Sequence, residues 1–277
     1  MIAVTGATGN VGRALVERLV AAGRPVRALT RDPRRAALPQ GAEVVRFGPD
    51  EGAAVFDGTT KLFLYVQAGG GRTDALLEAA RKAGVRHVVL LSSAIIQEGA
   101  DETHPIHVMH ATAERQIRDS GLQWTFLRPG AFATNSLQWA PQVRASDTVR
   151  GVYADGVTAP IHAGDIAAVA ERALLDPGHE GAVHRLSGPE AVTNAQQITA
   201  IGRAVGRDLR FVEAPPEEIG PELFPDVPPD FLPGLLKTFA ATVGATPEIT
   251  TTVEEITGVP ARTFAQWAQD HADDFRG

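Results

Sequence analysis

Residues 5–12 read Thr-Gly-Ala-Thr-Gly-Asn-Val-Gly and set glycines 6, 9 and 12 between the apolar run Ile2-Ala3-Val4 and the segment Arg13 to Ala22. Residues of these types at this spacing can hold a diphosphate. Gly6 permits a sharp turn out of a strand, Gly9 lets a pyrophosphate approach the main chain, and Gly12 lets the following helix sit close to the sheet. The phosphates would rest on a helix N-terminus, whose unpaired N–H groups and dipole favour anions. The helix itself is supported by an apolar face of Ala14, Leu15, Leu19, Val20 and Ala22. The competing reading is a glycine turn that joins strand to helix and holds nothing.

A second group of residues bears on which nucleotide is held. A dinucleotide unit that reads the ribose 2′-hydroxyl places Asp or Glu at the end of its second strand, about 20 residues beyond the glycines. Here Val26-Arg27-Ala28-Leu29 runs into Thr30-Arg31-Asp32-Pro33-Arg34-Arg35. Thr30 stands where the acid is expected, and the Arg31 guanidinium suits a 2′-phosphate, with Arg34 and Arg35 raising the local potential. NADP(H) is therefore favoured over NAD. Asp32 is the counter-argument, since a strand ending one or two residues later would give it the ribose role.

These residues need a frame. Apolar runs recur at Ile2–Val4, Val26–Leu29, Val44–Phe47, Leu62–Val66, Val88–Leu91 and Trp124–Leu127, with helical stretches at Arg13–Ala22, Thr73–Ala83 and Pro105–Asp119. Continuous apolar strands alternating with helices predict an α/β fold, a Rossmann-type doubly wound parallel sheet. Gly23, Gly84 and Gly121 stand just beyond the three helices, where left-handed caps belong. The link from Phe47 to Leu62 is too short for more than a turn. After Pro129 the pattern changes: a helix at Asp165–Leu175, a strand near Val183–Leu186 and a helix at Asn194–Val205 predict a smaller C-terminal α/β lobe. The expected division is a nucleotide-binding domain at 1–150 and a substrate lobe at 151–277, with the helix at 165–175 packing back on the first. Residues 214–234, with seven prolines, read as a lid or equally as a solvated connector, and Thr252–Phe275 as helical pieces broken at Gly258 and Pro260.

Composition narrows the function. The 277 residues are 44% hydrophobic, enough for a substantial core, and contain no Cys, which removes disulfides, thiolate metal sites and a cysteine nucleophile. A net charge of −7 without a long basic run opposes nucleic-acid binding. No apolar stretch is long enough to span a bilayer, so a soluble, cytoplasmic protein is expected. No GxSxG occurs, so serine hydrolase chemistry has no support.

The segments TGATGNVG at 5–12, VRALTRDP at 26–33, AGVRHVVLLSS at 83–93, Glu114 followed by SGLQWTFLRPGAFATN at 120–135, and HAGDIAAVAERAL at 162–174 together carry a resemblance. The chain resembles the NmrA-like atypical short-chain dehydrogenase/reductase family, which includes NADPH quinone reductases, triphenylmethane-dye reductases and redox-sensing regulators. The resemblance implies a Rossmann domain with a small C-terminal substrate lobe. By position it implies that Gly6, Thr8, Gly9, Asn10 and Val11 line the pyrophosphate and that Arg31 holds the 2′-phosphate. It likewise puts Gln67 near the adenosine and ribose, and Ser92 and Pro129 beside the nicotinamide. An Asp often found after the third strand is replaced by Gly48, which puts that adenine contact in doubt.

One part of the ordinary site is missing. Short-chain dehydrogenases protonate their substrates with a tyrosine assisted by a lysine four residues later. The chain has two tyrosines, Tyr65 and Tyr153, followed at that spacing by Gly69 and Val157. Counted back from Glu114 in the family's helix pattern, the lysine position holds His110 and the tyrosine position Ile106. His110 is the candidate acid, with a structural histidine as the alternative. His104, His107 and His110 do not converge as metal ligands, and no metal is expected. Phe132, Asn135 and Trp139 would form the wall for a flat, conjugated substrate, or else pack as ordinary core. The expected activity is NADPH-dependent reduction of a quinone, enone or iminium-type acceptor. The alternatives are a cofactor-sensing regulator without turnover and a non-redox isomerase or cyclase. The partner is a small molecule, and a homodimeric assembly is left open.

Overall fold

The computed structural model describes residues 1–48, 52–218 and 232–276. Seven strands, β1 (Ile2–Val4), β2 (Val26–Thr30), β3 (Ala42–Arg46), β4 (Lys61–Tyr65), β5 (His87–Leu91), β6 (Gln123–Pro129) and β9 (Ala182–Leu186), form one sheet in the order β3-β2-β1-β4-β5-β6-β9. Every neighbouring pair is parallel. Strands β1 and β4 are adjacent although β2 and β3 separate them in the chain, so the order reverses between them. At such a switch point a crevice opens beyond the carboxyl ends of the strands.

Helices α1 (Asn10–Ala21), α2 (Thr73–Lys82), α3 (Pro105–Asp119) and α5 (Ala163–Leu175) belong to the same compact unit. β5 is buried throughout, as its unbroken apolar run requires when both faces are covered. Gly23, Gly84 and Gly121 take φ of 67°, 99° and 76° and end their helices as the sequence predicts. Among the described residues between β3 and β4 the helical element is a 3-10 turn at Ala53–Phe56.

The chain forms two compact units that interleave. The first comprises Met1–Gly130, Ala163–Leu186 and Thr252–Val259; the second comprises Ala131–His162, Ser187–Thr251 and Pro260–Gly277. The chain first leaves the sheet-bearing unit at Gly130, upstream of the boundary expected near 150. Helix α5 lies in the first unit, tied to α1 by Arg18 and Glu171 at 2.7 Å. The strand at 182–186, expected in the smaller lobe, instead completes the large sheet beside β6. There it pairs in parallel with β6, which satisfies backbone groups along the edge of that strand.

The second unit holds α4 (Ala140–Ala145), β7 (Thr148–Gly151), β8 (Val157–Thr158), β10 (Val192–Thr193), α6 (Asn194–Val205), β11 (Arg210–Glu213) and α7 (Leu232–Ala240). The C-terminal pieces divide between the units: α8 (Thr252–Thr257) lies in the first, α9 (Phe264–Asp270) and α10 (Ala272–Arg276) in the second. Phe264, Trp267 and Phe275 pack there with Ile198, Ile201 and Val143. Most of the stretch read as a lid, 219–231, lies outside the described residues. Among those described, no helix is long and apolar enough to cross a membrane.

Candidate functional site

The turn after β1 has the form its glycines require. Gly6 takes φ +61°, and its carbonyl accepts from the Gly9 N–H at 2.9 Å. Gly9 caps α1 with extended backbone, and having no side chain it leaves the helix N-terminus without a side-chain cap. Thr8, Gly9 and Asn10 are exposed there, whereas Val11 and Gly12 are buried, leaving Val11 only its backbone to offer a ligand. A Cβ on Gly12 would lie 2.1 Å from the Gly6 carbonyl oxygen, and one on Gly9 3.4 Å from the same atom. Gly12 thus serves close packing, and Gly9 leaves open backbone where an anion can approach. This cradle fits a diphosphate.

At the end of β2 the Asp32 carboxylate has a local partner. Thr30 is the last residue of the strand, and its carbonyl accepts from Phe47 N–H at 2.8 Å. The Asp32 carboxylate accepts from Arg34 N–H at 3.1 Å and so caps its own 3-10 turn, Pro33–Arg35. Arg13 of α1 donates to the carbonyls of Ala36, at 3.0 Å, and Ala37, holding the loop in place. Arg31, Arg34 and Arg35 are all exposed. Their guanidinium groups are available to a phosphate.

Beyond β5 and β6 a buried carboxylate organises the end of the sheet. Glu114, 1% exposed, accepts from Ser92 Oγ at 2.7 Å, from Arg128 Nε at 2.9 Å and Nη2 at 2.6 Å, and from Arg118 at 3.1 Å. Burial alone would raise its pKa. The hydrogen bonds from Arg128 and Ser92 and the charges of Arg128 and Arg118 outweigh that and hold it below the usual carboxylate range. Arg128 also donates to Ile96 O at 3.1 Å, and Ala94 N–H to Pro129 O at 2.9 Å, so the segments after β5 and β6 are locked together. Ser92, its proton committed to Glu114, presents lone pairs to whatever lies beside it.

His110 stands one turn before Glu114 on α3. It is buried, and its Nδ1 has no partner among the described residues. Burial pushes its pKa down to about 4, against the opposing pull of Glu114, so the ring is neutral at pH 7. Ile106, at the tyrosine position, is 47% exposed. His104 instead caps α3, its Nδ1 accepting from Ile106 N–H at 3.2 Å. Among the described residues no group of three or more His, Asp or Glu side chains could hold a metal ion.

In the second unit, Phe132, Asn135 and Trp139 lie at or just before the 3-10 segment Ala133–Trp139. Asn135 is exposed and Phe132 half-buried. Trp139 is buried in that unit's core, edge-on to Phe211 with ring centres 6.4 Å apart, and borders a small cavity with Arg150 and Phe239.

Residues 6–177 match the model of a family described as NAD(P)H-binding. The chain belongs to this NAD(P)H-binding family. Over 99% of both chains it is 40% identical to a (4-alkanoyl-5-oxo-2,5-dihydrofuran-3-yl)methyl phosphate reductase of Streptomyces griseus. It is 33% identical, over 99% of both, to an NAD(P)H azoreductase of Xenophilus azovorans. Among solved structures, an NADPH-dependent quinone oxidoreductase of Escherichia coli complexed with NADPH superposes with a TM-score of 0.78 at 26% identity, over 98% of this chain and 99% of that one. The fold and kinship expected from the motifs are borne out, and NAD(P)H is the family's cofactor.

Arg128 is the one residue of the Glu114 cluster besides Arg118 that the motifs do not single out, and its sequence signal is a charge at the end of the apolar run Trp124–Leu127, which implies a buried partner.

Proposed function

We propose that the protein is an NADPH-dependent reductase that delivers hydride to a conjugated or aromatic acceptor of the quinone, enone or iminium type. The observation that carries this reading is a complete diphosphate cradle in a chain whose α3 has Ile106 and His110 in place of the tyrosine and lysine. When bound, NADPH supplies the hydride. Gly6, Thr8, Gly9, Asn10 and Gly12 form the turn that receives its diphosphate, Val11 contributes its backbone, and Arg31 takes the 2′-phosphate. Gln67 serves the adenosine side, and Ser92 and Pro129 the nicotinamide side. Phe132, Asn135 and Trp139 are assigned to the acceptor.

A conjugated acceptor spreads the incoming charge over several atoms, so it needs no strong acid at one of them. The balancing proton comes from water at neutral pH, where His110 is neutral, and His110 can deliver it only as pH falls toward 4. The named activities of the relatives, on an oxo-dihydrofuran phosphate, azo compounds and quinones, all suit such acceptors. We place the enzyme in the cytoplasm. The test is NADPH oxidation followed by absorbance against quinones, enones, azo compounds and simple aldehydes. Turnover of a conjugated acceptor and not of the aldehydes is expected; tight NADPH binding with no turnover of any acceptor would overturn the reading and favour a redox sensor.

A further inference from the structure

Away from the nucleotide crevice, the register of β5, β6 and β9 sets His87, Thr125 and His184 on one face of the sheet. His179, in the loop that leads into β9, turns back on His184. Its Nδ1 lies 3.1 Å from His184 Nε2, one of the two nitrogens donating to the other, with ring centres 5.2 Å apart and planes at 75°. Both rings are half-buried. The loop beneath them is held firmly: the His179 carbonyl accepts from Thr125 Oγ1 at 2.6 Å and from Ala182 N–H at 3.1 Å, and Gly181 N–H donates to Trp124 O at 2.7 Å. The Thr125 hydroxyl proton is spent on that carbonyl, so His87 Nε2–H is the donor in the 2.9 Å bond to Thr125 Oγ1.

We propose that His179 Nδ1 and His184 Nε2 form a two-imidazole chelate for a divalent transition-metal ion of the Zn²⁺, Ni²⁺ or Cu²⁺ type. Two nitrogens bound at about 2.0–2.1 Å to such an ion stand roughly 2.8–3.4 Å apart at the angles of square-planar to tetrahedral coordination. The pair is already within that span, so the ion replaces the shared proton with little movement of either ring. Through solvent, that proton is exchanged for one on the far nitrogen of its own ring, which leaves both imidazoles neutral and both facing lone pairs on the metal. Water completes the coordination, for no third His, Asp or Glu converges here among the described residues. Thr125 and His87 stand behind the pair and fix the His179 backbone. Nitrogen donors select against Mg²⁺ and Ca²⁺, which take oxygen ligands. The bound ion clamps the connector after α5 to β9, and the site does not depend on nucleotide binding.

Calorimetry with NiCl₂, ZnCl₂ and MgCl₂ on the untagged protein and on His179→Gln, His184→Gln and His271→Gln tests it. Each of the first two variants should weaken Ni²⁺ by at least about 10-fold and His271→Gln by less than about 2-fold, and MgCl₂ should give no heat. In thermal melts, Ni²⁺ at about 100 times its dissociation constant should raise the Tm of the unsubstituted protein by about 5–10 °C. Should a glutamine variant not fold, diethyl pyrocarbonate modification of the unsubstituted protein carries the comparison: Ni²⁺ should slow it at His179 and His184 but not at His271. Absence of Ni²⁺ and Zn²⁺ binding, an affinity unchanged in both His179→Gln and His184→Gln, a Tm that Ni²⁺ leaves unmoved, or equal modification of the pair with and without the ion would each overturn the proposal.

Discussion

Gly9 and Gly12 belong to one motif, yet the structure separates what they do, and substituting alanine at each should show it. At Gly12 a methyl group would stand 2.1 Å from the Gly6 carbonyl oxygen, 2.8 Å from its carbon and 3.0 Å from Ala7 Cα. All three are backbone atoms that cannot swing aside, so α1 must move off the turn by about 1 Å to restore contact distance. Overpacking of this kind costs about 3 kcal/mol, the upper part of its usual range, because nothing flexible yields. At 2–4 °C per kcal/mol that is a Tm lower by about 6–12 °C. At Gly9 the backbone is extended, with φ −79° and ψ 171°, and the methyl would meet Gly6 O at 3.4 Å, an ordinary contact. The poorer N-cap and the stiffer unfolded chain nearly offset, so Tm should change by less than about 3 °C. The methyl would instead hold a diphosphate off the helix N–H groups. Losing about two charge-assisted hydrogen bonds weakens NADPH by about 100-fold. Thermal melts and calorimetry on both variants check this. A Gly12→Ala protein that melts with the parent, or a Gly9→Ala protein that binds NADPH as the parent does, would refute the reasoning.

Arg31→Ala should lower NADPH affinity by about 10- to 100-fold and leave NADH unchanged, and equal loss for both would discredit Arg31 as the 2′-phosphate ligand. Glu114→Ala strands Arg128 beside Ser92 without its acceptor and should cost about 3–5 kcal/mol in urea unfolding; a cost under about 1 kcal/mol would show the cluster to be dispensable. His87 and His110 are both held to a pKa of about 4 by burial, below the ordinary value of about 6.5. The unfolded chain therefore binds more protons than the folded one between those values. Their contribution is fully present above pH 6.5 and is lost as pH falls toward 4, by about 3 kcal/mol per ring. Unfolding curves that superimpose at pH 7 and pH 4.5 would contradict it. With a protonation-dependent acceptor, kcat should rise as pH falls through 6 toward 4, and His110→Ala should flatten the rise if His110 delivers the proton; an unchanged profile would assign the proton to water.

By itself the sequence determined whatever depends on a few adjacent residues. The glycine turn, the apolar strands, the helix stops at Gly23, Gly84 and Gly121, and the absence of a Tyr-Lys pair are statements about local backbone freedom, local burial and residue identity. They hold in any fold that buries those strands. Tertiary structure alone decided what depends on which distant segment comes near. The strand at 182–186 could have paired in either unit, and the open edge of β6 took it. Glu114 reads on its helix as a surface acid paired with Arg118 one turn away, and only the sheet brings Ser92 and Arg128 to it. His110 reads as an ordinary imidazole until burial lowers its pKa. Periodicity records which face a residue is buried on, whereas its neighbours across that face are fixed by the closure of long loops, which leaves no local trace in the chain.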